Sequence, residues 1–246
     1  MSNAVVVSAG VFHFLSQADG VGKALFGVLC LMSVLVWGVL LKRIWRMYIE
    51  GRQEKDFSEA FWHATSLEEV SSMVNDKPHL HPLGNLTKTV LVAKSQFAGQ
   101  RAGRLAEIGG MSEYMTRELR KALDAQTARL ESGLTLLGSI AATAPFVGLF
   151  GTVWGVYRAL VGIGLSGAAG LEQVAGPVGE ALIMTGVGLA VAIPAVLSYN
   201  MLTRYNRLVL GRLDAFAHDL YHLALVGEVS QLSTAKRPLF EIPVAA

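Results

Sequence analysis

The stretch VAGPVGEALIMTGVGLAVAIPAVLSYNML, residues 174–202, holds one charged side chain, Glu180, in an otherwise apolar and glycine-rich run. A helix needs about 20 mainly apolar residues to cross ~30 Å of hydrocarbon, and this run is long enough. A carboxylate inside such a helix costs roughly 2.5 to 3.5 kcal/mol on insertion, so it normally faces a protein interior or a watery path. Glu180 is therefore the first candidate functional residue.

Two further stretches qualify as spans, because 24–41 and 133–157 contain no charged residue. The fold class this predicts is all-α: an integral membrane protein with three transmembrane helices, spans two and three extending into long helices on the inner side. Lys42, Arg43, Arg46, Arg52 and Lys55 crowd the far end of the first span, and Arg204, Arg207 and Arg212 follow the third. Only Lys23 and Arg158 flank the opposite ends. Basic residues stay on the cytoplasmic side, so the N-terminus is expected outside and the C-terminus inside. The first apolar run has its charges behind it, which reads as an anchor and not a cleaved leader.

The predicted layout is an outer tail over 1–22, spans over 23–42, 133–157 and 173–203, an inner helical loop over 43–132, a short outer loop over 158–172, and an inner helix and tail over 204–246. The net charge of +2 carries no nucleic-acid signal, since the basic residues sit where topology needs them. Cys30, the single cysteine, allows no intramolecular disulfide and is expected to be a small buried apolar residue.

Leu119, Leu123, Leu130, Leu134 and Leu137 recur at helical steps, which predicts that the second span continues inward as one amphipathic helix. Leu202, Tyr205, Val209, Leu213, Phe216, Leu220 and Leu223 predict an apolar stripe after the third span, with Arg204, Arg207, Arg212, Asp214, His218 and His222 on its wet face. Prolines 78 and 82 mark a turn in the stretch 66–82, and 233–246 reads as a loose tail.

Within the second span, Ser139, Thr143 and Thr152 carry hydroxyls, Pro145 removes one backbone hydrogen bond, and Gly151 and Gly155 form a GxxxG pair suited to close helix contact, expected between copies of the chain. The third span repeats this style with Pro177, Thr185, Gly186, Gly188 and Pro194. Two threonines and a glutamate on adjacent helices can line a polar path.

Other signals fail on context. Gly162, Gly164 and Gly167 match GxGxxG, but no strand precedes them, and a flexible outer turn is expected instead. His218 and His222 lack an obvious third metal ligand, and His79 and His81 beside prolines are equally weak. No nucleophile set and no phosphate loop is present, so neither an enzyme nor a cofactor or resident metal is expected.

The motifs APFVGLFGTVWGV, residues 144–156, and GPVGEALIMTGVGLAVAIPAV, residues 176–196, resemble the MotA/TolQ/ExbB proton-channel family and its ExbB branch most. The resemblance covers roughly residues 20 to 225, and the TolQ branch is the alternative. It implies a multi-pass subunit of the bacterial inner membrane, its outer segments periplasmic and its inner segments cytoplasmic. It further implies a homopentameric ring around an ExbD-like protein, a TonB-like partner, lipid contact and a proton-motive-force-driven role. Matched by motif, Thr152, Glu180 and Thr185 are the implied proton-pathway residues, while the proton-binding aspartate belongs to the ExbD-like partner. Gly151, Gly155, Pro145, Pro177 and Pro194 are the expected helix-packing positions.

Overall fold

A computed structural model of the chain describes residues 19–64, 67–75, 81–99, 110–166 and 171–226. Every element among them is helical: α1 (Gly20–His63), α2 (Leu67–Asn75), α3 (Pro82–Gly99), α4 (Gly110–Glu131), α5 (Leu134–Ser166) and α6 (Leu171–Val226). Three stretches, Gly20–His63, Gly110–Leu165 and Gly176–Leu225, are long and apolar enough to cross a membrane. The chain divides into two compact units, one of Met1–Arg43 with Gly133–Leu202, the other of Ile44–Ser132 with Thr203–Ala246.

The first unit is built on small residues. Gly148 and Gly188 let the α5 and α6 backbones approach so closely that a Cβ on Gly148 would lie 2.8 Å from Met184 O and 3.1 Å from Gly188 Cα. A Cβ on Gly188 would lie 2.8 Å from Ala144 O, and one on Gly155 would lie 2.8 Å from Ala181 Cβ. A Cβ on Gly151 would lie 2.9 Å from the Met184 side chain. The GxxxG pair thus meets the same chain's α6, where the sequence reading had set it between copies. Pro145 lies inside α5, and Pro177 and Pro194 lie inside α6. Such prolines are tolerated in membrane helices because neighbouring groups re-satisfy the freed carbonyls.

Large apolar side chains point away from this core. Leu31, Val34, Trp37, Phe146, Leu165, Leu182 and Leu197 are all at least half exposed. So large an apolar surface is untenable in water and suits lipid or a neighbouring subunit. Cys30 belongs to this outward face: it is exposed, against the expectation of burial, because α1 turns apolar positions outward on most sides.

At the start of α1, Asp19 Oδ1 accepts the Gly22 N–H at 2.9 Å, an N-cap that satisfies one of the helix's free donors. Its Oδ2 accepts Trp154 Nε1–H at 2.9 Å, and Arg158 Nη1 stands 3.4 Å from Oδ1. Partial burial pushes this carboxyl up, but the Gly22 and Trp154 donors and the Arg158 charge outweigh it and hold it below the ordinary 3.8.

The second unit has the apolar core that the periodicity announces. Val209, Leu213, Phe216, Leu220 and Leu223 of α6 are buried with Phe57 and Phe61 of α1, Val70 of α2, Leu86 and Val90 of α3, and Met115 and Leu119 of α4. Phe61 and Phe216 meet edge to face with centroids 4.9 Å apart. His81 is the N-cap of α3: its Nδ1 accepts the Gly84 N–H at 3.3 Å, and Pro82 takes the first helical position, where no N–H is needed.

Three further expectations change. The second span does not continue inward as one helix, because Gly133 adopts φ +89° and ends α4, a left-handed C-cap that glycine takes without steric cost. Asn206 Nδ2 donates to Leu130 O at 2.6 Å and satisfies one of the carbonyls this ending leaves free. Gly162 and Gly164 lie within α5, which runs to Ser166, so helix occupies much of the expected outer turn; Gly167 lies outside the described residues. The nine-residue α2 fills part of the stretch read as a turn, while His79 and the tail 233–246 lie outside the described residues.

Two outcomes follow from this packing. Gly148→Ala drives a methyl into backbone that has no flexible end to yield, so it should lower the melting temperature in detergent by the equivalent of about 1 to 3 kcal/mol. Gly162→Ala, with nothing within 4 Å of the added carbon, should leave it unchanged or raised. The second concerns Glu54, whose carboxyl is 4.0 Å from Arg212 and raised from its ordinary 4.5 by burial, with Arg212 opposing and Glu50 adding to the rise. A raised folded-state value means the folded chain holds the proton more tightly than the unfolded one. This contribution is complete below 4.5 and is lost as pH climbs through the raised value. The melting-temperature difference between Glu54→Gln and wild type should therefore shift in favour of the variant as pH rises above 4.5, and a pH-independent difference contradicts it.

Candidate functional site

The polar groups of the first unit sit on the close-packed α5/α6 pair. Thr152 donates to Leu149 O at 2.6 Å within its own helix, and its Oγ1 lies 3.3 Å from Thr185 Oγ1 across the contact. Thr185 also lies 3.4 Å from Gly148 O. With the Thr152 proton committed to Leu149, the Thr185 hydroxyl is the donor that joins the helices, shared between Thr152 Oγ1 and Gly148 O. Thr143 turns back onto Ser139 O at 2.7 Å and contributes nothing across the interface. The two threonines can meet because Gly148 brings the backbones together one turn away.

Glu180 stands apart from that bond. Five residues separate it from Thr185, which on an ideal helix is about 140° of rotation and about 7.5 Å of rise. The residue as a whole is half-buried, yet Glu180 Oε1 is fully buried and has no hydrogen-bond partner among the described residues. A buried acceptor left unmade costs about 1 to 3 kcal/mol, and more if charged, which sets this oxygen apart from the bonded threonines. Its neighbours on the same helix, Ala181 and Met184, are buried against α5, placing the carboxylate at the border of the α5/α6 contact.

Of the residues the sequence singles out, the structure joins Thr152 to Thr185 and leaves Glu180 outside their bond. Sequence reasoning missed Asp19, Trp154 and Arg158. The available signal was an aspartate just before a helix start, a position that favours capping side chains. It also missed Asn206, a polar residue in an apolar stripe. His218 and His222 are on the exposed face of α6, and among the described residues no group of three His, Cys, Asp or Glu is placed to hold a metal.

The sequence pattern of the MotA/TolQ/ExbB proton channel family matches residues 90–215, which contain both α5 and the polar part of α6. The biopolymer transport protein ExbB of Xanthomonas campestris pv. campestris is 40% identical over 198 residues, 80% of this chain and 78% of that protein. The ExbB of Neisseria meningitidis serogroup A is 38% identical over 212 residues, covering 86% of this chain and 95% of its own. The Tol-Pal system protein TolQ of Pseudomonas aeruginosa is 29% identical over 215 residues, covering 87% and 92%. With the matched pattern enclosing the glycine contact, the threonine pair and Glu180, the chain belongs to the MotA/TolQ/ExbB proton channel family.

Proposed function

We propose that this chain is an ExbB-type subunit of a proton-motive-force-driven motor in the bacterial inner membrane, working with an ExbD-like and a TonB-like protein to energise outer-membrane transport of substrates such as iron-siderophores. The observation that carries the proposal is Glu180: a carboxylate oxygen buried without a partner on a membrane-crossing helix, within the region matched to a proton channel family. The ExbB relatives, at 38 to 40% identity against 29% for TolQ of Pseudomonas aeruginosa, favour the TonB-linked role over a Tol-Pal role.

In this reading the chain assembles as a homopentamer, and the α5/α6 pairs surround the ExbD-like helices. Glu180, Thr152 and Thr185 form this chain's half of the proton path. A proton-binding aspartate of the partner changes charge beside them, and moving one charge through 100 mV releases about 2.3 kcal/mol, enough to bias rotation or flexing of the ring. Glu180 receives the partner's donor at its buried oxygen, while the threonine bond holds the two helices in register. The N-terminus and the α5/α6 connection are periplasmic, and the segment 43–132 and the C-terminus are cytoplasmic. Membrane lipid covers the outward apolar face.

Orientation is checked by accessibility. In a Cys30→Ser background, cysteine at Gly10 or Gly164 should react with an impermeant maleimide in intact spheroplasts, and cysteine at Lys77 or Ser230 only after lysis. Labelling of the last two in intact spheroplasts reverses the topology. The motor role is checked by siderophore-iron uptake at matched protein level. Glu180→Ala should abolish uptake while insertion and assembly persist, and Glu180→Gln separates hydrogen bonding from ionisation. Thr152→Val and Thr185→Val remove two ends of one bond, so the double variant should lose little more than either single one, a coupling of about 0.5 to 3 kcal/mol. Full uptake by Glu180→Ala sinks the assignment, and restored Tol-Pal function without restored uptake selects the TolQ-type role.

A further inference from the structure

We propose that His218 and His222 form an exposed two-histidine chelate for a late first-row divalent cation of the Zn2+ or Ni2+ kind. The two Nε2 atoms stand 3.1 Å apart on adjacent turns of α6. Two nitrogens each 2.0–2.1 Å from one ion, at angles between square and tetrahedral, are about 2.9 to 3.4 Å apart, so the pair already has the bite of a chelate. The rings stand nearly perpendicular at 81° with centroids 4.6 Å apart.

The pair is held from outside. Tyr221 packs edge-on against His222 at 5.8 Å between centroids, and the Tyr221 hydroxyl is tied to Ser112 of α4 at 2.6 Å. The His222 ring is thereby ordered before an ion arrives, which lowers the entropic cost of binding. Asp214 lies one turn before His218 on the same row of α6 and is exposed. Water, with the Asp214 carboxylate within reach of the aqua ligands, completes the coordination. Imidazole donors favour Zn2+, Ni2+ and Cu2+ over Mg2+ and Ca2+, whose preference is for oxygen.

An ion bridging adjacent turns stabilises α6 and ties its folding to metal supply. The inference is independent of the motor reading, because it rests on two side chains far along α6 from Glu180 and Thr185.

The test uses the full chain with a histidine-free affinity tag in mild detergent. Zn2+ titration calorimetry at pH 7.5 should show one more Zn2+ per chain for wild type than for His218→Ala/His222→Ala. His13, His63, His79 and His81 are common to both and cancel. Either single substitution should lose as much as the double, since a chelate needs both nitrogens. Zn2+ should raise the melting temperature of wild type and of no variant, and Mg2+ should raise none. Single variants that keep full binding, or a double variant equal to wild type, overturn the proposal.

Discussion

The backbone contact between α5 and α6 at Gly148 and Gly188 sets the remaining geometry of the first unit. In lipid there is no hydrophobic drive between apolar helices, so their association rests on van der Waals contact and on bonds between polar groups. Both need short distances. The 3.3 Å Thr152–Thr185 pair exists only because the glycines remove every side-chain atom that would hold the axes apart. Once the axes are fixed, Ala181 and Met184 are buried, and Glu180 is carried to the edge of the seam. A residue whose own partners are absent is thus positioned by residues that have no functional groups.

Much of this is legible in the sequence because membrane insertion writes a strong signal. Two charge-free stretches and a third with one stray carboxylate stand out against the background, and the stripe from Val209 to Leu223 repeats at helical spacing because one side of it must be buried. Glu180 is found by contrast alone. What stays hidden is of two kinds. Gly110 and Gly133 are two of 26 glycines, and nothing local distinguishes these two left-handed positions from Gly162 and Gly164, which remain helical. Asp19 and Asn206 owe their roles to atoms distant in sequence, Trp154 and Leu130, and no periodicity encodes such a partner. The threonines are intermediate: the motif names them, and the structure shows which group each one faces.

The two units also use polar groups differently. In the first, hydroxyls lean on their own backbone, as Thr143 does, or on one another, so little polarity is left unspent except at Glu180. In the second, polar side chains finish helices: His81 opens α3, and Asn206 closes α4. Asp19, which opens α1, is the counterpart in the first unit.

The Asp19–Trp154 hydrogen bond joins residues 135 positions apart, which has a consequence for biosynthesis. At translation rates of about 5 to 20 residues per second, Trp154 leaves the ribosome on the order of ten seconds after Asp19. The first helix must enter the bilayer alone, and its aspartate remains in water at the rim during that interval. Only a nascent chain whose second span has threaded in the opposite direction brings the indole and the Arg158 guanidinium to that rim. The latch therefore reports that the two spans run antiparallel, whichever way the pair faces.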